Sequence, residues 1–107
     1  LELPVENFTE SNWHMFQVVL PLDQLNADRA QVMTELKDLG IGTGVHYPAI
    51  TGFTLYKNQG YKTSDTPIAE RIGKSILTLP LFPAMVDEDI DRITKGLIGI
   101  LQKYRKN

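Results

Sequence analysis

Apolar residues recur along this chain with two different periods, and the period separates helices from strands. The clearest run lies near the C-terminus. Ile90, Ile93, Leu97, Ile100, Leu101 and Tyr104 return every three or four positions, which puts them on one face of a helix. Asp87, Glu88 and Asp89 crowd its first turn and Lys103, Arg105 and Lys106 its end, as the helix dipole favours. Asp87 is expected to cap it, because Val86 has no acceptor. A second helix is expected from about 28 to 39, where Val32, Met33, Leu36 and Leu39 share a stripe. Asn26 or Asp28 caps it, Gln31 stands at capping-box spacing from Asp28, and Gly40 suits the stop. A third helix follows Thr66 as cap and Pro67 in the first turn, with Ile68, Ile72 and Ile76 at i, i+4 and i+8.

Elsewhere the pattern shortens to that of strands. "WHMFQVVL" (Trp13 to Leu20) is rich in β-branched and aromatic residues and reads as a strand apolar on both faces, hence central, ended by Pro21. Thr43, Val45 and Tyr47 alternate with Gly44 and His46 and predict a second strand, 42 to 47. "LTLPLFP" predicts a short edge strand or one that breaks at Pro80, which has no ladder donor. Between them lies a long mixed stretch, Ala49 to Thr66, with a short helical turn near Leu55 to Gln59. Leu1 to Asn12 has no clear period and reads as an extended lead-in. The expected fold class is α+β: a two-layer sandwich in which a small, mainly antiparallel sheet carries helices on one face.

Composition narrows the function. The 107 residues fit one domain with a single core. A net charge of −2 lacks the basic excess that a grip on nucleic acid needs. No cysteine is present, so disulfides and thiolate metal sites are excluded. No apolar run is long enough to span a membrane, no secretion signal is visible, and the cytoplasm is the default location. The chain begins at Leu1 rather than methionine, which is compatible with a processed or excised piece.

The candidate chemistry is sparse. Gly40, Gly42 and Gly44 follow a helix and lead into a strand, the reverse of the order in a phosphate-binding loop. Gly40 is better read as a helix stop, and Gly42 and Gly44 as close backbone approach in a strand. His14 and His46, without cysteine or a HExxH spacing, make a poor zinc set. Ser11, Ser64 and Ser75 lie in no nucleophile elbow. The acidic residues from Asp87 to Asp91 read as helix-start charge rather than an acid–base pair. His14 reads as a strand-entry residue with a hydrogen-bonded ring, and Trp13 and Met15 as core. A lone strand histidine such as His46 is ordinarily structural. Yet His46 and Tyr47 sit at a strand end before a long loop holding Pro48, Tyr56 and Tyr61, a place where side chains often face a cleft. Residues alone reach a candidate small-molecule edge at 46 to 61 and name no reaction.

Four blocks taken together go further. "NWHMFQVVLP" (12 to 21), "GIGTGVHYPAI" (40 to 50), "TPIAERIGKSILTLPLFPAM" (66 to 85) and "DEDIDRI" (87 to 93) resemble, in order and spacing, the C-terminal small domain of the DegT/DnrJ/StrS aminotransferases. The resemblance runs from about Asn12 to Leu101. It implies a fold-type I parent enzyme that uses pyridoxal 5'-phosphate (PLP) to aminate keto groups of nucleotide-linked sugars. It implies that a lysine of a large N-terminal domain forms the Schiff base with the cofactor, which acts as the electron sink. None of the seven lysines here stands in a block like the family's lysine motif. On this reading residues 1–12 lead in from that missing domain and residues 13–107 are the small domain. The small domain is inactive alone, binds no cofactor itself, and helps cover the active site. His46, Tyr47 and Tyr56 would be substrate-binding. The implied partners are the chain's own large domain, a homodimer partner and the nucleotide-sugar substrate, with no nucleic acid and no membrane. One departure is notable: Thr51 stands where family members often carry a second histidine, and a hydroxyl cannot shuttle a proton near neutral pH. The alternative reading is a free-standing α+β binding or assembly module without a cofactor.

Overall fold

In the computed structural model, which describes all 107 residues, two four-residue strands, β1 (Phe16–Val19) and β2 (Ile76–Leu79), pair antiparallel. The helices are α1 (Arg29–Asp38), α2 (Thr54–Asn58), α3 (Pro67–Ser75) and α4 (Asp87–Lys103), with 3-10 turns at Leu22–Gln24, Ile50–Gly52 and Thr63–Asp65. Phe16 stands opposite Leu79, Gln17 opposite Thr78, Val18 opposite Leu77 and Val19 opposite Ile76. Side chains alternate along a strand, so Phe16, Val18, Leu77 and Leu79 share one face. Gln17 and Thr78 share the other.

The first face makes the core. Val18 and Leu77 pack with Val32 and Leu36 of α1, Leu97 and Ile100 of α4, and Leu20 and Ile41. Val32, Leu36 and Leu77 have no exposed surface. The architecture is the expected α+β one, with helices layered on a small antiparallel sheet. Single bridges extend the sheet on both sides, Glu2 to Val19 and Gly44 to Thr78. β1 is therefore central, as its sequence predicts. β2 also has a neighbour on each side, so it is not an edge, and it stops just before Pro80.

Both longer strand expectations shrink. The strand expected from Trp13 begins only at Phe16, because local side chains capture its backbone. Ser11 Oγ accepts the Trp13 N–H at 3.1 Å, and Asn12 Oδ1 accepts the His14 N–H at 3.1 Å. Trp13 itself sits at φ 48°, outside strand geometry. The strand expected over 42–47 reduces to the Gly44 bridge, with N–H···O distances of 3.0 and 2.8 Å to and from Thr78.

The helix ends show which local signals hold. Asp28 Oδ1 accepts the Gln31 N–H at 2.8 Å, so it caps α1. The Gln31 side chain does not close the box; it donates to the Tyr104 hydroxyl at 2.9 Å instead. Gly40 stops α1 at φ 74°, with Gly40 N–H on Lys37 O (2.8 Å) and Ile41 N–H on Leu36 O (2.9 Å), a Schellman pair. Two expected caps fail. Thr66 makes no capping bond, because its hydroxyl pairs with Thr51 Oγ1 at 2.9 Å. At α4 it is Asp89, not Asp87, that reaches back, accepting the Val86 N–H at 3.1 Å. The apolar stripe of α3 is not fully used either, since Ile68 is 70% exposed.

The shape is a slab of 48 × 40 × 22 Å. Its radius of gyration, 15.5 Å, exceeds the roughly 13 Å of a compact chain this long. Only one sheet face is sealed by a helix layer.

Candidate functional site

The unsealed face of the sheet is where His46 lies. Gln17 and Thr78 project from it as a directly opposed pair, one from each strand. The Thr78 hydroxyl is 2.8 Å from His46 Nδ1, and the Gln17 side-chain amide donates to the His46 carbonyl. The backbone of Thr78 meanwhile carries the bridge to Gly44. Gly44 was expected to allow a close backbone approach. The close neighbour is instead a side chain: a Cβ on Gly44 would stand 2.8 Å from His46 Cε1. Gly42 faces open space, and the same expectation fails there.

Tyr47 follows through a cis peptide bond. Its ring meets that of His46 edge-on, with centroids 5.0 Å apart and planes at 83°. Tyr47 is 68% exposed while His46 is half-buried. The chain then settles on α3. A Cβ on the buried Gly73 would lie 2.5 Å from Ala49 N and 3.1 Å from Pro48 C, so Gly73 is the seat on which this segment rests. From the other side Arg29 of α1 donates to Gly73 O (2.5 Å) and Ile76 O (3.2 Å), holding carbonyls at the end of α3 that no further helical turn receives.

The structure thus brings His46 and Tyr47 together and places Tyr56 elsewhere. Tyr56 and Tyr61 meet edge-on, 6.0 Å apart, and wall an open cleft of about 580 Å³ with Ile50, Thr51, Asp65 and Thr66. His46 and Tyr47 do not line that cleft. Thr51 is buried at its base, its hydroxyl spent on Thr66. Three other expectations change. His14 is exposed, lies outside β1, and its ring makes no hydrogen bond. Trp13 is half-buried rather than core: it stacks between Phe8 (5.6 Å) and Phe16 (6.1 Å), with its Nε1 on Asn7 O at 2.9 Å. Met15 is also only half-buried.

The two perturbed ionisable groups belong to the seam between α1 and α4. Lys103 Nζ lies 2.8 Å from Glu35 Oε1, and the Tyr104 hydroxyl donates to the same carboxylate oxygen. The hydrogen bond from Lys103, then that from Tyr104, holds the Glu35 carboxyl below its ordinary value. The hydrogen bond to Glu35 in turn raises Lys103.

Sequence reasoning missed Gln17, Thr78, Gly73 and Arg29. A signal existed for two of them. Gln17 is the polar residue inside an apolar strand run, and Thr78 is out of phase with Leu77 and Leu79. Both alternations mark side chains that face away from the core.

The fold has counterparts among solved structures. A solved structure described as a sugar aminotransferase, Spr1654 from Streptococcus pneumoniae, matches in its apo form with a TM-score of 0.82 and 27% identity. The PMP and PLP forms of the same protein match equally. The match covers 95% of this chain and 26% of Spr1654, so the chain spans about a quarter of that protein's length. The sequence profile of the DegT/DnrJ/EryC1/StrS aminotransferase family fits residues 1–98. From the fit over nearly its whole length, this chain belongs to the DegT/DnrJ/EryC1/StrS aminotransferase family.

Proposed function

We propose that this chain is the C-terminal small domain of a PLP-dependent aminotransferase that aminates keto groups of nucleotide-linked sugars. Residues 1–12 would lead in from the large domain and residues 13–107 would form the small one. The observation that carries the reading is the pairing of coverages: the match takes 95% of this chain and 26% of Spr1654. In this reading the domain covers part of the active site. It presents His46 and Tyr47 from one edge and Tyr56 from the neighbouring cleft, and a homodimer partner completes the site.

The residues here do not fit the cofactor itself. All seven lysines are exposed. None hydrogen-bonds to His46 or Tyr47, and none lines the Tyr56 cleft. A Schiff-base lysine belongs to the large domain in this reading, and the chain alone does not transaminate. The open slab supports the same view. Leu3, Phe8, Leu81, Phe82 and Ile90 are exposed apolar side chains, a band suited to burial against the large domain.

Two measurements test it. Borohydride reduction of the chain with PLP, followed by peptide mapping, is expected to give scattered, substoichiometric labelling. Stoichiometric labelling of one lysine would place the cofactor here and overturn the assignment. In the full-length enzyme His46→Ala is expected to lower turnover of a keto-sugar nucleotide with little change in stability. Unchanged turnover would remove His46 from the site, and a loss of several kcal/mol on unfolding would mark it as core.

A further inference from the structure

We infer that Thr78 is a positioning residue for His46, fixing the ring through Nδ1 while leaving Nε2 able either to donate or to accept a hydrogen bond. The inference rests on the reading of His46 as substrate-facing, and it concerns how that histidine is prepared.

Three elements converge on one residue. Gln17 in β1 holds the His46 carbonyl. Gly44 leaves empty the volume that a Cβ would take, 2.8 Å from Cε1. Thr78 in β2 meets Nδ1 at 2.8 Å. Gly44 and Thr78 are themselves locked together by two backbone hydrogen bonds. The ring is thus held by one polar atom and by the absence of a side chain beside it. His46 Nε2 has no protein partner, so it is the ring's free polar atom.

The choice of a hydroxyl matters. A histidine whose Nδ1 meets a carboxylate or a carbonyl must keep a proton there, because those partners only accept. Nε2 is then confined to accepting while the ring is neutral. A threonine hydroxyl both donates and accepts. When Thr78 donates to Nδ1, the proton sits on Nε2, which donates. When the hydroxyl rotates and accepts from Nδ1–H, Nε2 accepts. Neither state loses the Thr78 bond, so the ring keeps its place while the role of Nε2 changes. A sugar nucleotide offers hydroxyl groups and phosphate oxygens, and such an Nε2 can meet each of them.

Ring-nitrogen NMR on the full chain tests this directly, with the exposed His14 as internal reference. In the wild type, His46 is expected to show Nδ1 and Nε2 shifts distinct from those of His14, and a nuclear Overhauser contact from Hε1 to the Gly44 α-protons. Thr78→Val keeps the shape of the side chain and removes the hydroxyl. It is expected to abolish that contact and move the His46 shifts toward those of His14. Thr78→Ser is expected to restore both. A His46 ring that matches His14 in the wild type, or one unchanged by Thr78→Val, overturns the proposal. If Thr78→Val fails to fold, the wild-type shifts and the Gly44 contact decide alone. These readouts do not depend on turnover. An inactive role for His46 in the full-length enzyme would refute the functional reading while leaving the positioning result standing.

Discussion

On the helix side of the sheet, Val18 and Leu77 are sealed beneath Leu36 and Leu97. On the other side, Gln17 and Thr78 hold a half-buried histidine by hydrogen bonds. The two faces belong to the same pair of four-residue strands, one residue out of phase. The helix side is stabilised by apolar area removed from water, which is non-directional and tolerant of small shifts. The histidine side depends on a few polar contacts, each worth little net and each strongly directional. Stability therefore resides on one face and positional accuracy on the other.

Breaking the helix side should cost the most. Leu36 is fully buried between the sheet and α4, and Leu36→Ala is expected to lose roughly 2–5 kcal/mol in denaturant unfolding. That is a large part of the roughly 5–15 kcal/mol typical of a domain. A loss well below this range would mean that the slab does not depend on its single core.

A change at the seat of the histidine segment should cost less and say more. Gly→Ala within a helix ordinarily gains about 1 kcal/mol. At Gly73 the added carbon would meet Ala49 N at 2.5 Å, and such overpacking costs roughly 1–3 kcal/mol. Gly73→Ala is thus expected to destabilise, with amide shift changes concentrated in residues 46–49 rather than in α1 and α4. A stabilised variant would show that the Pro48–Ala49 contact yields freely.

The smallest expected effect is that of pH on the α1–α4 seam. The Glu35 carboxyl is lowered in the folded state from its ordinary 4.5. Its contribution is complete above that value and is lost as pH falls through the lower folded one. Lys103 is raised from 10.5, so its contribution is complete below 10.5 and is lost as pH rises through the higher folded value. Lys103 is exposed and Glu35 half-buried, and solvent around the pair screens it, so the change is modest. Comparing Glu35→Gln with wild type across pH is expected to show a difference at neutral pH that vanishes in acid. A difference that persists in acid would assign the effect to shape rather than charge.

How legible each face was follows from how locally it is encoded. The limits of α1 could be read from Asp28 and Gly40, because a cap and a Schellman stop are settled within a few residues. The core stripe of α4 was equally plain at Leu97 and Ile100. The histidine side was not, because its partners are distant in sequence. The alternation of Thr43, Val45 and Tyr47 suggested a strand, but only Gly44 finds a pairing, at Thr78. Thr66 has the residue type of a cap, yet a tertiary contact with Thr51 takes its hydroxyl. His46 itself could be singled out by its place before a long loop. The Gln17, Gly44 and Thr78 socket around it could not, because it exists only once β1 and β2 are in register.

Arg29 joins the two regions. Its guanidinium grips the carbonyls of Gly73 and Ile76, and Gly73 carries the segment that follows His46. The linkage acts as a lever without slack. A tilt of α1 swings the end of α3, and the histidine travels with it, so the core and the histidine-bearing edge move as one rigid piece against anything this face meets.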